Sequence, residues 1–325
     1  MRTSTIGRLV IIMILLSLTL GAKSLKAQDY PKKPVSMIVT SAAGGTVDVA
    51  ARTLIEAAKP FFPQPIIVVN KPGGGGVIAA SALISSPPDG YTIAALTLHS
   101  VTLSTEVNKV PYTLSDIVPI TGIIDMTSFF IVNANASWKT MKEVLDYAKA
   151  NPGKIRVSSP GQIGTSMHLL FEDMRLKTQV DMTYVPFSGG AGGAITALLG
   201  GHVEATIMGG SVPMTQVKAG TLRNLAAFAE ERLPEFPNIP TFRELGYDLF
   251  KVNTYYFIAA PKGTPQDIVQ TLYGAFSKAL KTDKFQKFAL DSVSRVIPWS
   301  PNDLSKRLES EDVYLKELLK KVKLQ

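Results

Sequence analysis

Two separated stretches of the chain repeat one order of elements, and that repeat limits the available folds more than any other feature. The first reads as a strand at 36–39, a small-residue loop at 43–46, a helix at 47–59, a strand at 65–70, a glycine loop at 72–76, a helix at 77–84 and a turn into a third strand at 89–93. The second reads as a strand at 154–157, a loop at 158–165, a helix at 166–176, a strand at 181–187, a loop at 188–193, a helix at 194–199 and a strand at 202–207. Short runs rich in Val and Ile, alternating with helical periodicity, predict parallel sheets covered on both faces. Two β-α-β-α-β units predict an α/β protein of two lobes.

The remaining elements say how the lobes connect. Thr140 and Glu143 form a capping box ahead of Met141, Val144, Leu145 and Ala148, which share one helical face. Thr264-Pro265 with Asp267, and Ser300-Pro301 with Asp303, are N-cap and N1-proline signals that predict helices at 265–280 and 301–322. No third repeat precedes these helices, so the chain is expected to return and finish the first lobe, crossing near 129–133 and again near 253–257. The predicted division is a leader at 1–27, a discontinuous first lobe at 28–129 plus 254–325, and a second lobe at 130–253. Two crossings make a hinge.

The leader is read from Arg2 and Arg8, the apolar run 9–20 and the small residues up to Ala27, the pattern of a secretory signal peptide cleaved after Ala27. The run is shorter than the roughly 20 residues a membrane-spanning helix needs. Without cysteine there are no disulfides, no thiolate metal site and no lipidated N-terminal Cys, so the expectation is an exported, unlipidated periplasmic protein. The formal charge falls from +8 to +4 once Arg2, Arg8, Lys23 and Lys26 leave with the leader. No Lys/Arg cluster interleaves with aromatics, which argues against nucleic acid. Lys316, Lys320, Lys321 and Lys323 read as the solvated face of an amphipathic helix.

In open parallel sheets ligands bind beyond the carboxyl ends of the strands, and here those ends carry Gly, Ser and Thr. Four loops qualify, at 42–48, 70–76, 158–166 and 187–193. Glycine lets a ligand approach backbone N–H groups, and the helix that follows presents about half a positive charge at its N-terminus. An anion is the expected guest. None of the loops holds Arg and only Lys71 supplies a formal positive charge, so backbone amides must carry most of the recognition. Asp48 either sits in a first helical turn for the dipole or meets the ligand. His168 either faces the cleft or bonds a loop carbonyl. His99, with Ser100, follows the strand 92–96 at a carboxyl end and is placed toward the cleft. His202 reads as a surface turn residue.

Enzyme patterns are weak. Gly74-x-Gly76-x-x-Ala79 imitates a dinucleotide fingerprint, yet no acidic residue ends the next strand. There is no Gly-Lys-Ser/Thr phosphate loop and no G-x-S-x-G elbow, and Ser166 near His168 lacks a third member. Three scattered histidines make no metal site. No catalytic residue, cofactor or metal is therefore expected.

Several motifs resemble those of the tripartite tricarboxylate transporter receptors, also called the Bug family. They are Tyr30-Pro-x-Lys-Pro34, Ala42-Ala-Gly-Gly-Thr-x-Asp48 with Ala51-Arg52, Val69-Asn-Lys-Pro-Gly-Gly-Gly-Gly76, Pro88-Asp-Gly-Tyr-Thr92 and Gly164-Thr-Ser-x-His168. Val185-Pro-Phe-x-Gly189, Leu199-Gly-Gly-His-Val203, Lys218-Ala-Gly-x-Leu-Arg223 and Ala260-Pro-x-Gly-Thr-Pro265 continue the likeness into the last third.

The resemblance implies a type II periplasmic-binding-protein fold, two Rossmann-like lobes closing on a small carboxylate. It also implies delivery of that solute to a two-component membrane permease by a receptor expected to be monomeric; alternatives are a sensor presenting ligand to a membrane signalling protein, or a hydrolase or isomerase on the same fold. Carried over from the family, the ligand is met by Ala43, Gly44, Gly45, Thr46 and Asp48 on one lobe and by Ser159, Gly164, Thr165, Ser166 and His168 on the other. His99, Ser188, Gly189 and Tyr255 complete the candidate set. Thr40-Ser41 stands for a common Pro-Phe, Ser188 for a frequent Lys, Gly209-Gly210 for a frequent Asp-Asn and Tyr255 for a frequent Trp. These departures make the pocket less charged and predict a carboxylate with an apolar or aromatic body near Tyr255 or His99.

Overall fold

The structure, a computed structural model, describes residues 30–103, 110–187, 190–249, 252 and 254–322. The expected leader and the candidates Ser188 and Gly189 lie outside the described residues. The first repeat runs β1 (Val35–Val39), α1 (Thr46–Ala58), β2 (Ile66–Asn70), α2 (Val77–Ile84) and β3 (Thr92–Thr97), then one turn of helix, α3 (Leu98–Val101). β4 (Ile117–Met126), β5 (Ser128–Asn133) and α4 (Met141–Ala150) lead to the second repeat. That repeat is β6 (Arg156–Pro160), α5 (Ser166–Thr178), β7 (Thr183–Phe187), α6 (Gly190–Leu199) and β8 (Ala205–Gly209). The chain continues through α7 (Ser211–Lys218), β9 (Leu222–Phe228), β10 (Thr254–Pro261), α8 (Gln266–Ala279), α9 (Asp283–Asp291), β11 (Arg295–Val296) and α10 (Pro301–Lys321).

The strands form two sheets, ordered β2-β1-β3-β10-β4-β11 and β7-β6-β8-β5-β9. β1 is parallel to β2 and β3, and β6 is parallel to β7 and β8, so the two repeats make the same three-stranded core. Neither sheet is wholly parallel, however. β10 runs antiparallel between β3 and β4, and β5 antiparallel between β8 and β9. The chain changes sheets at Thr127, between Met126 of β4 and Ser128 of β5. This lies upstream of the expected 129/130 boundary because Phe129 already pairs with Met208 and Ala227 in the second sheet. The return lies between Phe228 and Thr254.

Helices pack on both faces of the first sheet. Val47 and Leu54 of α1, Phe276 of α8 and Phe285 of α9 share a fully apolar cluster with Met37, Ile93 and Ile258. The capping box predicted for α4 is present, with the Glu143 N–H donating to Thr140 Oγ1 at 3.2 Å and the Thr140 N–H to Glu143 Oε2 at 3.3 Å. α10 starts as predicted, on the Ser300 hydroxyl, which accepts the Asp303 N–H at 3.2 Å. It buries Leu304, Leu308, Glu311, Leu315 and Leu318, an alternating four-three seam with a carboxylate in the middle. Each buried leucine contributes about 1.5–3 kcal/mol. That seam joins one apolar cluster with Ile38 and Leu96 of the first sheet and Val157 and Leu170 of the second unit. α10 also makes polar ties to the second unit: Arg307 Nη2 reaches Glu230 Oε1 at 2.8 Å, and the Tyr314 hydroxyl donates to Asp173.

Candidate functional site

The loop from β1 to α1 is built around one carboxylate. Asp48, 2% exposed, accepts from the Gly44 N–H at 2.9 Å, from Arg52 Nε at 2.9 and 3.0 Å and from Asn70 Nδ2 at 2.8 Å. Its own N–H donates to Ser41 Oγ at 3.1 Å, and Asn70 Nδ2 also reaches the Ser41 carbonyl at 2.9 Å. The Arg52 bonds hold the Asp48 carboxyl down at about 2, against burial and with help from Asn70 and Gly44. Its lone pairs are thus occupied by the protein, so Asp48 sets the loop rather than reaching outward. Asn70, at the end of β2, ties the second loop to the first.

The loop from β6 to α5 is built the same way around a neutral ring. The Gly164 N–H donates to His168 Nδ1 at 3.2 Å. The ring packs against Tyr184 of β7 with centroids 4.7 Å apart, and its Nε2 lies 3.9 Å from Glu172 Oε1. Burial holds the His168 pKa below its ordinary value, Glu172 opposing and Arg175 adding to the shift. His168 therefore accepts a loop N–H and does not bond a loop carbonyl.

Small residues make up much of the exposed surface of both loops. Ala43, Gly44 and Thr46 are exposed and Gly45 half-buried, while Gly164, Thr165 and Ser166 are half-buried. A β-carbon at Gly44 or Gly164 would meet nothing within 4 Å, and their φ values of +80° and +85° lie in the region glycine favours. Neither N-cap, Gly45 or Thr165, satisfies its helix with a side chain. In α1 the Asp48 N–H is taken by Ser41 Oγ, which leaves the amides at the very start of each helix, Thr46 and Ser166, for solvent or a guest.

The floor between the loops comes from the crossings. Thr254 of β10 donates to Ser166 Oγ across the two units at 3.4 Å. The Tyr256 hydroxyl reaches Met126 Sδ at 3.1 Å and hydrogen-bonds with Thr46 at the start of α1; burial pushes its pKa up to about 12, the Thr46 bond opposing. A β-carbon at Gly209 would fall 2.4 Å from the Thr127 carbonyl, so only glycine lets β8 come this close to the crossing.

Three sequence candidates are buried rather than open to a ligand. Tyr255 is 2% exposed and turns to the opposite face of β10, where its hydroxyl donates to Glu311 Oε2 at 2.7 Å and its ring meets Trp299 edge-on. Strand alternation gives the cleft face to Thr254 and Tyr256 instead. Ser159 is fully buried and spends its hydroxyl on Tyr184 at 2.5 Å. His99 is 8% exposed, with Nε2 enclosed and unpaired and its pKa lowered by burial to about 4. Sequence reasoning missed Tyr184 and Tyr256, although one strand residue of shift would have found the second. Tyr255→Phe is expected to cost about 1–3 kcal/mol of stability by stranding the buried Glu311 oxygen, with ligand affinity unchanged. Tyr256→Phe should show the reverse; denaturation curves and binding isotherms on both variants separate the two faces.

A cavity of about 560 Å³ opens elsewhere, between residues 229–235 and the segments 280–290 and 294–298. No glycine-loop residue lines it. Among the described residues no group of three His, Asp or Glu side chains is placed to hold a metal ion, and no helix is long and apolar enough to cross a membrane.

Comparison with known proteins agrees with this architecture. Residues 50–324 match the family model described as tripartite tricarboxylate transporter family receptor. The chain is 35% identical over 264 residues to the UPF0065 protein in the gbd 5′ region of Cupriavidus necator, covering 81% of this chain and 79% of that protein. It superposes on a TctC solute binding protein from Polaromonas, solved without ligand, with a TM-score of 0.81 and 30% identity over 90% of this chain and 100% of that one. MatC from Rhodopseudomonas palustris, with bound malate, gives 0.70 at 26% identity over 89% and 99% of the two chains, and an R. palustris protein with adipate gives 0.71 at 26% over 90% and 98%. By sequence along most of its length and by its type II periplasmic-binding-protein fold, the chain belongs to the tripartite tricarboxylate transporter family receptors.

Proposed function

We propose that the protein is an exported, monomeric receptor that takes a small carboxylate between the glycine loops of α1 and α5 and passes it unchanged to a two-component membrane permease. The observation that carries this reading is the matched pair of loop-to-helix junctions, each pinned from within by one side chain, Asp48 or His168, and each with an N-cap residue whose own side chain does not close the helix end, so that the Thr46 and Ser166 N–H groups have no capping side chain. Each N-terminus contributes about 0.3–1 kcal/mol toward an anion, up to about 2 when partly buried. Micromolar affinity, near −8 kcal/mol, therefore needs both, together with the hydroxyls of Thr46, Thr165 and Ser166. Arg52, on α1 beside the first loop, is committed to Asp48 and Asn70, so the loops favour anions of modest charge held by amides and bridging waters.

Malate and adipate, held by two relatives, are the first solutes to test. Tyr184 and Tyr256, rather than Tyr255, are the rings nearest the loops, which keeps aromatic acids in the panel. In a thermal-shift and calorimetry panel of malate, adipate, citrate and aromatic monocarboxylates, at least one acid is expected to bind one-to-one and to be recovered unaltered. Turnover of the acid, or no stabilisation by any carboxylate, would remove the receptor reading. Thr46→Ala combined with Thr165→Ala should weaken binding about tenfold or more with the fold intact, since each hydroxyl contributes about 0.5–1.5 kcal/mol.

A further inference from the structure

The two loops share one backbone device, and the side chain that anchors it differs in chemistry between them. In each, a positive-φ glycine donates its N–H to the side chain four residues on: Gly44 to Asp48 Oδ2 at 2.9 Å, and Gly164 to His168 Nδ1 at 3.2 Å. The next N–H closes a turn, Gly45 to the Ala42 carbonyl at 3.0 Å and Thr165 to the Gln162 carbonyl at 3.2 Å. Both N-caps are extended, at φ −71°, ψ 164° and φ −82°, ψ 167°, and their carbonyls accept the first helical bonds, from Val49 at 2.9 Å and Leu169 at 3.0 Å. The acceptor is a permanently ionised carboxylate in one copy and an imidazole nitrogen in the other.

We propose that His168 is a positioning residue that makes the second half of the ligand site proton-releasable, while Asp48 keeps the first half set at all working pH values. This rests on the receptor reading above. Nδ1 accepts the Gly164 N–H only while it carries no proton. On protonation it becomes a donor facing a donor, the bond is lost, and the loop that carries the Gly164, Thr165 and Ser166 amides loses its anchor. The charged and titratable groups facing the ring are Glu172 and Arg175 of its own helix and Tyr184 of β7, the last engaged with Ser159 and Thr165. Glu172 is bridged to Arg175 at 2.7 Å, which leaves less of its charge to hold a proton on the ring. Burial acts in the same direction, so the neutral, accepting form is the resting one near neutral pH.

The test follows the Gly164 amide resonance, the His168 ring nitrogens and the affinity for malate and adipate from about pH 7.5 down to about pH 4, a span carried below the ordinary histidine range because burial lowers this ring's pKa. In the wild type the Gly164 resonance is expected to move with the ring, and affinity to fall about tenfold, the equivalent of one hydrogen bond. His168→Asp, which rebuilds the first loop's arrangement, and His168→Asn, whose Oδ1 takes the place of Nδ1, should remove that fall. Any slope left in both variants belongs to the carboxyls of the probe. A Gly164 resonance that stays still while His168 titrates, or identical affinity profiles in wild type and both variants, would overturn the proposal. If neither acid binds at pH 7.5, the receptor reading fails for these acids, and the Gly164 resonance still decides the role of His168.

Discussion

Asp48→Ala is expected to weaken carboxylate binding about a hundredfold and to cost about 2 kcal/mol of stability at neutral pH. The change removes the acceptor shared by the Gly44 N–H, Asn70 Nδ2 and Arg52 Nε; Asn70 keeps the Ser41 carbonyl and Arg52 is half-exposed to water, so the loss comes mainly from releasing the loop at Gly44. A loop freed of its anchor must then be ordered by the ligand, at about 1–2 kcal/mol per residue fixed. The stability part follows from linkage. The carboxyl is held at about 2 in the fold against 3.8 when free, so its contribution is complete above about pH 4 and drains away as pH falls toward 2. Urea titrations should thus separate wild type from Asp48→Ala at pH 7 and bring them together near pH 2. Asp48→Asn, which keeps one acceptor but loses the charge, should fall between the two. Wild-type affinity in Asp48→Ala would remove the loop from the mechanism.

Arg307→Ala is expected to destabilise the fold by about 3–5 kcal/mol, the range for removing one partner of a buried ion pair. Arg307 lies over the Trp299 ring at 4.4 Å and joins Glu311 at 2.8 Å to Glu230 at 2.8 Å, tying α10 to the second unit. Without it, Glu311 keeps its place in the leucine seam with only the Tyr255 hydroxyl. Burial already raises the Glu311 carboxyl to about 7, with Arg307 and Tyr255 opposing. A carboxyl raised on folding holds a proton that the unfolded chain releases, so stability falls as pH rises from the unfolded value of 4.5 through about 7. Loss of Arg307 extends that window upward, and the gap between wild type and variant should widen from pH 5 to pH 8 in thermal melts. Arg307→Met with Glu311→Leu should recover most of the loss. Equal melting temperatures at pH 8 would show that the pair contributes nothing.

Much of the architecture was legible because its causes are local. The repeat was readable from strand and helix periodicity, and Ser300, Thr140 and Glu143 signalled their helix starts in adjacent residues. α9 was missed although Thr282 caps it and Phe285, Phe288 and Ala289 share a helical face. β5 and β10 escaped for a different reason: their partners lie far along the chain, and nothing in their own sequences says that they run against their neighbours. The loops were found by composition, yet the roles inside them were not. Asp48 and His168 bond their own loops, and Tyr255 and Tyr256 exchange roles by one step of strand alternation, a choice made by Glu311 on a helix 56 residues away.

The position of β10 governs the order in which the chain can assemble. The five-stranded sheet is made wholly from residues 128–228 and is complete once β9 exists. In the other sheet β3 and β4 never touch; each pairs with opposite edges of β10. Until residue 261 has been supplied, that sheet is a three-stranded fragment and a lone strand, with an unpaired edge on each side of an empty slot. Insertion of one long-range strand then closes both edges at once. A nascent chain stays short of a finished native state until its last third is available, and the slowest step of folding is expected to be the filling of that slot.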